Sequence, residues 1–247
     1  MNRKLEGKVA IVSGSGRGIG REIALKLAAE GAALVINDLD ETVAAAATAE
    51  INAAGGRAVM CCGNVTAPDF AARFVDMALS AFGRIDIIVN NAGYTWDNVI
   101  QKMSDEQWDA ILDVHVTAPF RILRAASEYF RRAAKEEAER GEEVFRKVVN
   151  ISSVSGVMGN AGQANYSAAK AAINGLTKAL AKEWGRYKVN VNSVAFGLIR
   201  TRLTEATAGE DATINISGQE IKVGVNQQLM KNLETMIPMG RAGTPAE

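Results

Sequence analysis

Tyr166 and Lys170 stand four residues apart, which places a phenol and a primary amine on one side of a helix, one turn apart. A phenol with a reference pKa of about 10 is a poor proton shuttle near neutrality. A neighbouring ammonium favours the phenolate and would lower that pKa. Thirteen residues before the tyrosine, Ser153 ends the apolar run Val148-Val-Asn-Ile151-Ser152-Ser153. A hydroxyl leaving a strand end there could donate to the same carbonyl oxygen that the phenol protonates. Tyr-x-x-x-Lys pairs arise by chance in many helices, so this one takes its meaning from the elements that position it.

The helix opened by Asn160-Ala-Gly-Gln-Ala-Asn165-Tyr166 carries Tyr166, Ala169, Ile173, Leu176, Leu180 and Trp184 in steps of three and four, which marks one buried face. At the other end of the chain, Lys8–Ser13 reads as a buried strand. It runs into Gly14-Ser-Gly16-Arg17-Gly18-Ile19-Gly20, then into a helix with Ile23, Leu27 and Ala28 facing inward and Gly31 as its stop. Strand, glycine turn and helix together suit a pyrophosphate: glycines allow close backbone approach, and a helix N-terminus offers free N–H groups. The second strand, Leu34-Val-Ile-Asn37-Asp38, ends in an acid eighteen residues past Gly20. A carboxylate there can accept from both adenosine ribose hydroxyls and would repel a 2′-phosphate.

The remaining chain keeps the same rhythm. Glu41–Ala54 reads as a helix closed by Gly55-Gly56, Arg57–Cys62 as a third strand before Gly63-Asn64-Val65, and Phe70–Phe82 as an amphipathic helix. Arg84–Val89 reads as a fully buried strand ending in Asn90-Asn91-Ala92-Gly93. Ser104-Asp-Glu-Gln107 forms a capping box for a helix bearing Trp108, Ile111, Leu112 and the single histidine, His115. Pro119 should bend that helix or mark an irregular turn. Arg131–Lys147, with both signs interleaved, reads as a solvated helical extension. Lys188–Ala195 is a further strand, followed by Phe196-Gly197-Leu-Ile199-Arg-Thr201. A period-two pattern around Ser217-Gly218, within 212–225, reads as a β-hairpin inserted beside the site. Alternating strands and helices give the expected fold class: one α/β domain over 1–247, a doubly wound parallel sheet in three layers with that short hairpin near the substrate site.

Composition bounds the function. Formal charge is zero, against the basic surplus usual in a nucleic-acid binder. Cys61 and Cys62 are adjacent in an apolar run, which suits buried thiols and argues against a disulfide or a zinc site. No apolar run reaches the roughly 18 residues of a membrane span. The charged Met1–Glu6 start lacks a signal-peptide core, so a cytoplasmic location is expected, with no metal, nucleic-acid or membrane partner.

Taken together, Ser13-Gly14 with Gly18 and Gly20, Asp38, Asn90-Asn91-Ala92-Gly93, Ser153, Tyr166 and Lys170 strongly resemble the short-chain dehydrogenase/reductase family over essentially the whole chain. The resemblance implies a Rossmann-type fold and hydride transfer between a nicotinamide cofactor and a secondary alcohol or ketone. Tyr166 would be general acid/base, Ser153 would position the substrate oxygen, and Lys170 would lower the tyrosine pKa and hold the nicotinamide ribose. Cofactor contacts would come from Gly14, Gly16, Arg17, Gly18, Ile19, Gly20, Asp38, Leu39, Asn64, Val65, Asn91, Ala92, Gly93, Tyr166, Lys170, Gly197, Ile199 and Thr201.

Gly159–Tyr166 looks like the 3-oxoacyl-thioester reductases, whereas Val35–Leu39 and His115 look like (3R)-hydroxyacyl-CoA dehydrogenases. Both handle a 3-oxo/3-hydroxyacyl thioester, which is the expected substrate. A small polyol, sugar or cyclic alcohol is the alternative, and a non-catalytic dinucleotide sensor is the alternative from another class. A homotetramer is also implied.

The chain departs from the family pattern at four places. His115 stands where the family has a fourth catalytic residue, an asparagine; it is either a histidine in a proton relay, which would titrate and give an acid-side limb, or a core histidine satisfied by backbone. Asn64 replaces an aspartate that contacts adenine, and Phe196 replaces a proline before Gly197. The sequence stops at Glu247, where the family continues with a helix and a last parallel strand; either a sheet edge is left beside Val189–Ala195, or those elements lie beyond this sequence. Asp38 favours NAD over NADP, while Arg17 resembles the basic residue with which NADP users meet the 2′-phosphate.

Overall fold

The structure, a computed structural model, describes residues 3–201, 204, 213–216, 219–222 and 234–247. Its strands are β1 (Val9–Val12), β2 (Ala33–Ile36), β3 (Arg57–Met60), β4 (Ile87–Asn90), β5 (Arg146–Ser153) and β6 (Val189–Phe196). They form one parallel sheet in the order β3-β2-β1-β4-β5-β6. The chain reverses direction across the sheet between β1 and β4, and in such sheets ligands bind outside the strand carboxyl ends at that crevice. Strands buried on both faces read as near-continuous apolar runs, as β1, β2 and β4 do, whereas β6 alternates between buried and exposed positions over its first half.

Alternate side chains of each strand serve two separate cores. Val9, Ile11, Val35 and Ile88 pack on one face with α3 (Phe70–Phe82), α5 (Ala118–Glu139) and α7 (Ala164–Trp184). Ala10, Val12, Leu34, Ile36 and Val89 pack on the other with α1 (Gly18–Ala29) and α2 (Glu41–Ala53). This is the expected three-layer, doubly wound arrangement. The remaining helices, α4 (Asp105–Leu112) and the short α6 (Ser155–Met158), flank the entrance to α7. The expected capping box opens α4, with Ser104 accepting from the Gln107 N–H and Gln107 reaching back to the Ser104 N–H. β7 (Thr213–Ile216) and β8 (Gln219–Lys222) form the expected antiparallel hairpin; its Ser217-Gly218 turn lies outside the described residues. Among the described residues β6 is the outermost strand on its side. No described helix is long and apolar enough to cross a membrane.

Of the two outcomes expected at Pro119, the irregular turn is the one found. Helical backbone runs from α4 through a π-helical turn at Asp113–Thr117 into α5, with Pro119 in the first turn of α5. One expectation needs correction.

The charged 131–147 stretch is not one solvated extension. Its helix ends at Glu139, and Arg146 opens β5 almost wholly buried, at 1% exposure. The Arg146 guanidinium donates to both Glu137 oxygens at 2.8 and 2.5 Å and to Ile85 O at 3.3 Å. It lies against the rings of Tyr129 and Phe130. A buried charge survives when bidentate pairing meets its hydrogen-bonding needs. Interleaved signs along a chain do not reveal which pair turns inward.

Candidate active site

A cavity of about 600 Å³ opens at the carboxyl ends of β1, β2 and β4. The glycine turn after β1 forms its floor and is held from two sides. Asn91 donates to Ser13 O at 3.0 Å and Gly14 O at 2.9 Å, while Ser13 Oγ accepts from the N–H groups of Asn91 and Ala92. From β2, Asn37 Oδ1 accepts from Gly14 N at 3.0 Å, and its amide donates to Cys61 O and Gly63 O. Gly20 admits no side chain, because a Cβ there would lie 2.1 Å from Gly14 O. α1 then begins with neither a side-chain cap nor an acid in its first turn, leaving its N-terminal N–H groups to an outside acceptor.

At the rim, Asp38 stands two residues past the end of β2 with its side chain 13% exposed. Its Oδ1 accepts from Asp40 N at 3.1 Å. Arg17 reaches across from the glycine turn, with Nε 3.8 Å from Asp38 Oδ2. Asn64 Oδ1 accepts from both Thr66 N and Thr66 Oγ1, so the Asn64 oxygen is shaped into a local turn at the cavity wall.

The cavity's far end holds the candidate chemistry. Four hydrogen bonds lock the start of α7. Buried Asn165 donates to Trp96 O and Gln107 O, and Ser152 Oγ donates to Lys170 O. Gln163 Nε2 donates to Asp97 at 2.6 Å. A buried chain from Asn90 through Asn150 to Thr177 ties β4 and β5 to the same helix. Tyr166 thereby meets Ser153 at the end of β5, their side chains hydrogen-bonded. Burial pushes the Tyr166 phenol up from its usual value; the Ser153 hydrogen bond opposes this and the Asp97 charge adds to it. Lys170 is 4% exposed and donates from Nζ to Ile151 O at 2.6 Å, with Nζ 5.5 Å from the Tyr166 ring centroid. Burial brings the Lys170 amine down to about 7. The expectation that Lys170 lowers the Tyr166 pKa is therefore corrected for this arrangement. The amine addresses a backbone carbonyl and the ring face, and desolvation dominates both groups.

His115 comes from the π-helical turn and is buried. Its Nε2 lies 2.8 Å from Tyr94 O, and because a carbonyl can only accept, Nε2 carries the proton. Nδ1 is then the acceptor nitrogen, buried and without a partner among the described residues. The ring stands edge-on to Tyr166 at 5.1 Å between centroids. Gly93 makes room for it, since a Cβ at Gly93 would lie 2.1 Å from His115 Cε1. Burial, and then the Lys170 charge, hold His115 well below its usual pKa.

The burial of His115 and its bond to Tyr94 O favour the core-histidine reading, on which the pH–rate profile should carry no limb that His115→Asn removes. Stability should respond instead. Below about 6.5 the unfolded histidine binds a proton that the native ring refuses, so stability falls with pH by up to about 1.4 kcal/mol per unit. Urea unfolding at pH 7.5 and 5.5 should show a smaller drop in His115→Asn than in the parent; equal drops would contradict this reading.

Most residues singled out from sequence line this cavity: Gly14, Arg17, Gly18, Ile19, Gly20, Asp38, Leu39, Asn64, Val65, Asn91, Ala92, Gly93, His115, Tyr166, Lys170 and Thr201. Gly16, Ser153, Gly197 and Ile199 are outside its lining; Ile199 instead bridges Gly243. Thr213 of β7 does line it, which brings the hairpin to the site. Sequence reasoning missed Asn37, Asp40, Tyr94 and Asn165. The first and last sit beside Asp38 and Tyr166, and that adjacency was the available signal. Among the described residues no cluster of side chains is arranged to hold a metal ion.

The family's sequence model, described as short chain dehydrogenase, matches residues 8–212. The chain belongs to the short-chain dehydrogenase family. It is therefore an oxidoreductase of a nicotinamide-dependent family. A 3-oxoacyl-[acyl-carrier-protein] reductase of Synechocystis is 43% identical over 81% of this chain and 78% of that protein. The hydroxyacyl-CoA dehydrogenase ChsB1 of Mycobacterium tuberculosis is 44% identical over 77% of this chain and 61% of that one. The crystal structure of a short chain dehydrogenase from Mycobacterium avium superposes with a TM-score of 0.75, at 41% identity, over 84% of this chain and 73% of its own.

Proposed function

We propose that this dehydrogenase interconverts a 3-oxoacyl and a 3-hydroxyacyl thioester with NAD(H). The observation that carries the reading is the convergence of Tyr166, Lys170 and His115, with Ser153 bonded to Tyr166, at one end of a cavity whose other end presents a glycine turn, an uncapped helix start and Asp38. A dinucleotide fits these residues. The glycine turn and the α1 N–H groups suit its pyrophosphate, and the Asp38 carboxylate suits a ribose diol. When bound, the nicotinamide supplies or accepts the hydride. The chain's own part is the proton. Ser153 Oγ–H donates to the substrate oxygen and orients it, and Tyr166 Oη–H passes its proton to that oxygen as it gains charge. A phenol held protonated by burial is the form needed for ketone reduction near neutral pH. The thioester assignment draws on the names of the relatives, all on the same machinery.

Asp38 carries the cofactor preference. Hydrogen bonds to a carboxylate are worth about 1.5–3 kcal/mol, and a 2′-phosphate would lose them and meet a like charge. NAD(H) should be preferred over NADP(H) by roughly tenfold or more, at about 1.4 kcal/mol per tenfold. Asp38→Ala should narrow or reverse that ratio of kcat/KM. A parent enzyme that prefers NADP(H) would reverse the ranking of Asp38 over Arg17.

A further inference from the structure

Arg17 is the cation placed to receive a 2′-phosphate beside Asp38, yet its guanidinium is already held. Its Nη2 lies 2.9 Å from Asp40 Oδ2, a closer contact than the 3.8 Å from Nε to Asp38. Asp40 does not depend on Arg17 for its position. Its Oδ1 caps α2, accepting from Thr42 N at 3.1 Å and Val43 N at 3.4 Å, so the helix start fixes the carboxylate and the carboxylate fixes the arginine. We infer that Asp40 is a second determinant of cofactor choice, acting as a latch that withholds Arg17 from a 2′-phosphate. Asp38 acts by direct contact with the ribose, whereas Asp40 is a positioning residue that works through Arg17.

The inference rests on reading the cavity as a dinucleotide site. To serve a phosphate, the guanidinium must exchange a charge-assisted bond it already has, so the new contact yields only the difference. The pair is half exposed, at 34% for Arg17 and 50% for Asp40, which limits the latch to about the strength of a surface ion pair and makes it salt-sensitive.

Two ligands isolate the effect without catalysis: adenosine 2′,5′-bisphosphate and AMP, which differ only in the 2′-phosphate. Their dissociation constants would be measured by calorimetry at low ionic strength in the parent, Asp40→Asn, Arg17→Ala and the double variant. Asparagine caps a helix about as well as aspartate, so α2 is retained in the variant. Asp40→Asn should shift the affinity ratio toward the bisphosphate by about fivefold, equivalent to about 1 kcal/mol at 1.4 kcal/mol per tenfold. With Arg17 removed, the same substitution should shift it less than about twofold, the residue of simple charge repulsion. An equal shift with and without Arg17, or no shift in either, overturns the latch. A parent that binds the bisphosphate more tightly than AMP overturns the Asp38 ranking while the Arg17–Asp40 coupling still reads out. If AMP does not bind at all, the dinucleotide reading falls and the latch with it.

Discussion

Tyr166→Phe is expected to lower turnover by about 10²–10⁴-fold, the usual contribution of a general acid or base, while cofactor affinity stays within about twofold. The substitution removes one oxygen and keeps the ring, so its edge-on packing with His115 survives. What disappears is the phenolic hydroxyl that bonds to Ser153 at the end of the cavity. Single-turnover reduction and cofactor titration separate the two effects. Parent-like turnover in this variant would remove Tyr166 from the chemistry. Lys170→Ala should differ in kind, harming cofactor binding as well as turnover, because Lys170 lines the cavity and also braces β5 through Ile151 O.

The second large effect is expected from Gly20→Ala. A methyl group there would lie 2.1 Å from Gly14 O and 2.4 Å from the Asn91 amide nitrogen, and neither can yield without moving the glycine turn. Overpacking typically costs about 1–3 kcal/mol, more where backbone must shift. For a chain of this size each kcal/mol lowers Tm by about 2–4 °C. Binding should suffer further, because the displaced atoms are the floor of the cavity proposed to take the pyrophosphate. A loss of at least about 100-fold in dinucleotide affinity, equivalent to about 2.8 kcal/mol, is expected. Thermal unfolding and cofactor titration both report on it. Parent-like Tm and affinity would mean that the turn does not hold a dinucleotide as described.

Much of this architecture was legible from local pattern. The α3 bounds, the Ser104 capping box and the β7–β8 pairing follow from periodicity and turn chemistry, which act over a few residues. The cavity lining was legible because a parallel sheet of this order brings every strand's carboxyl end to one rim. What escaped depends on partners distant in sequence. The bond from Arg146 to Glu137 needs β5 folded back along α5. The latch between Arg17 and Asp40 joins residues 23 positions apart. Proton affinities escaped for a related reason. A lysine four residues from a tyrosine suggests a Coulombic effect, but once both are buried, desolvation dominates, and only the packed site sets its size.

The most direct test of the central claim is steady-state reduction of a 3-oxoacyl-CoA by purified protein with NADH, followed at the absorbance band of the reduced nicotinamide. Turnover should fall in the ordinary enzyme range of about 1–10³ s⁻¹ and be lost in Tyr166→Phe. Oxidation of small polyols or cyclic alcohols with no activity on 3-oxoacyl thioesters would contradict the substrate assignment. Tight dinucleotide binding without turnover of any carbonyl or alcohol would contradict the catalytic one.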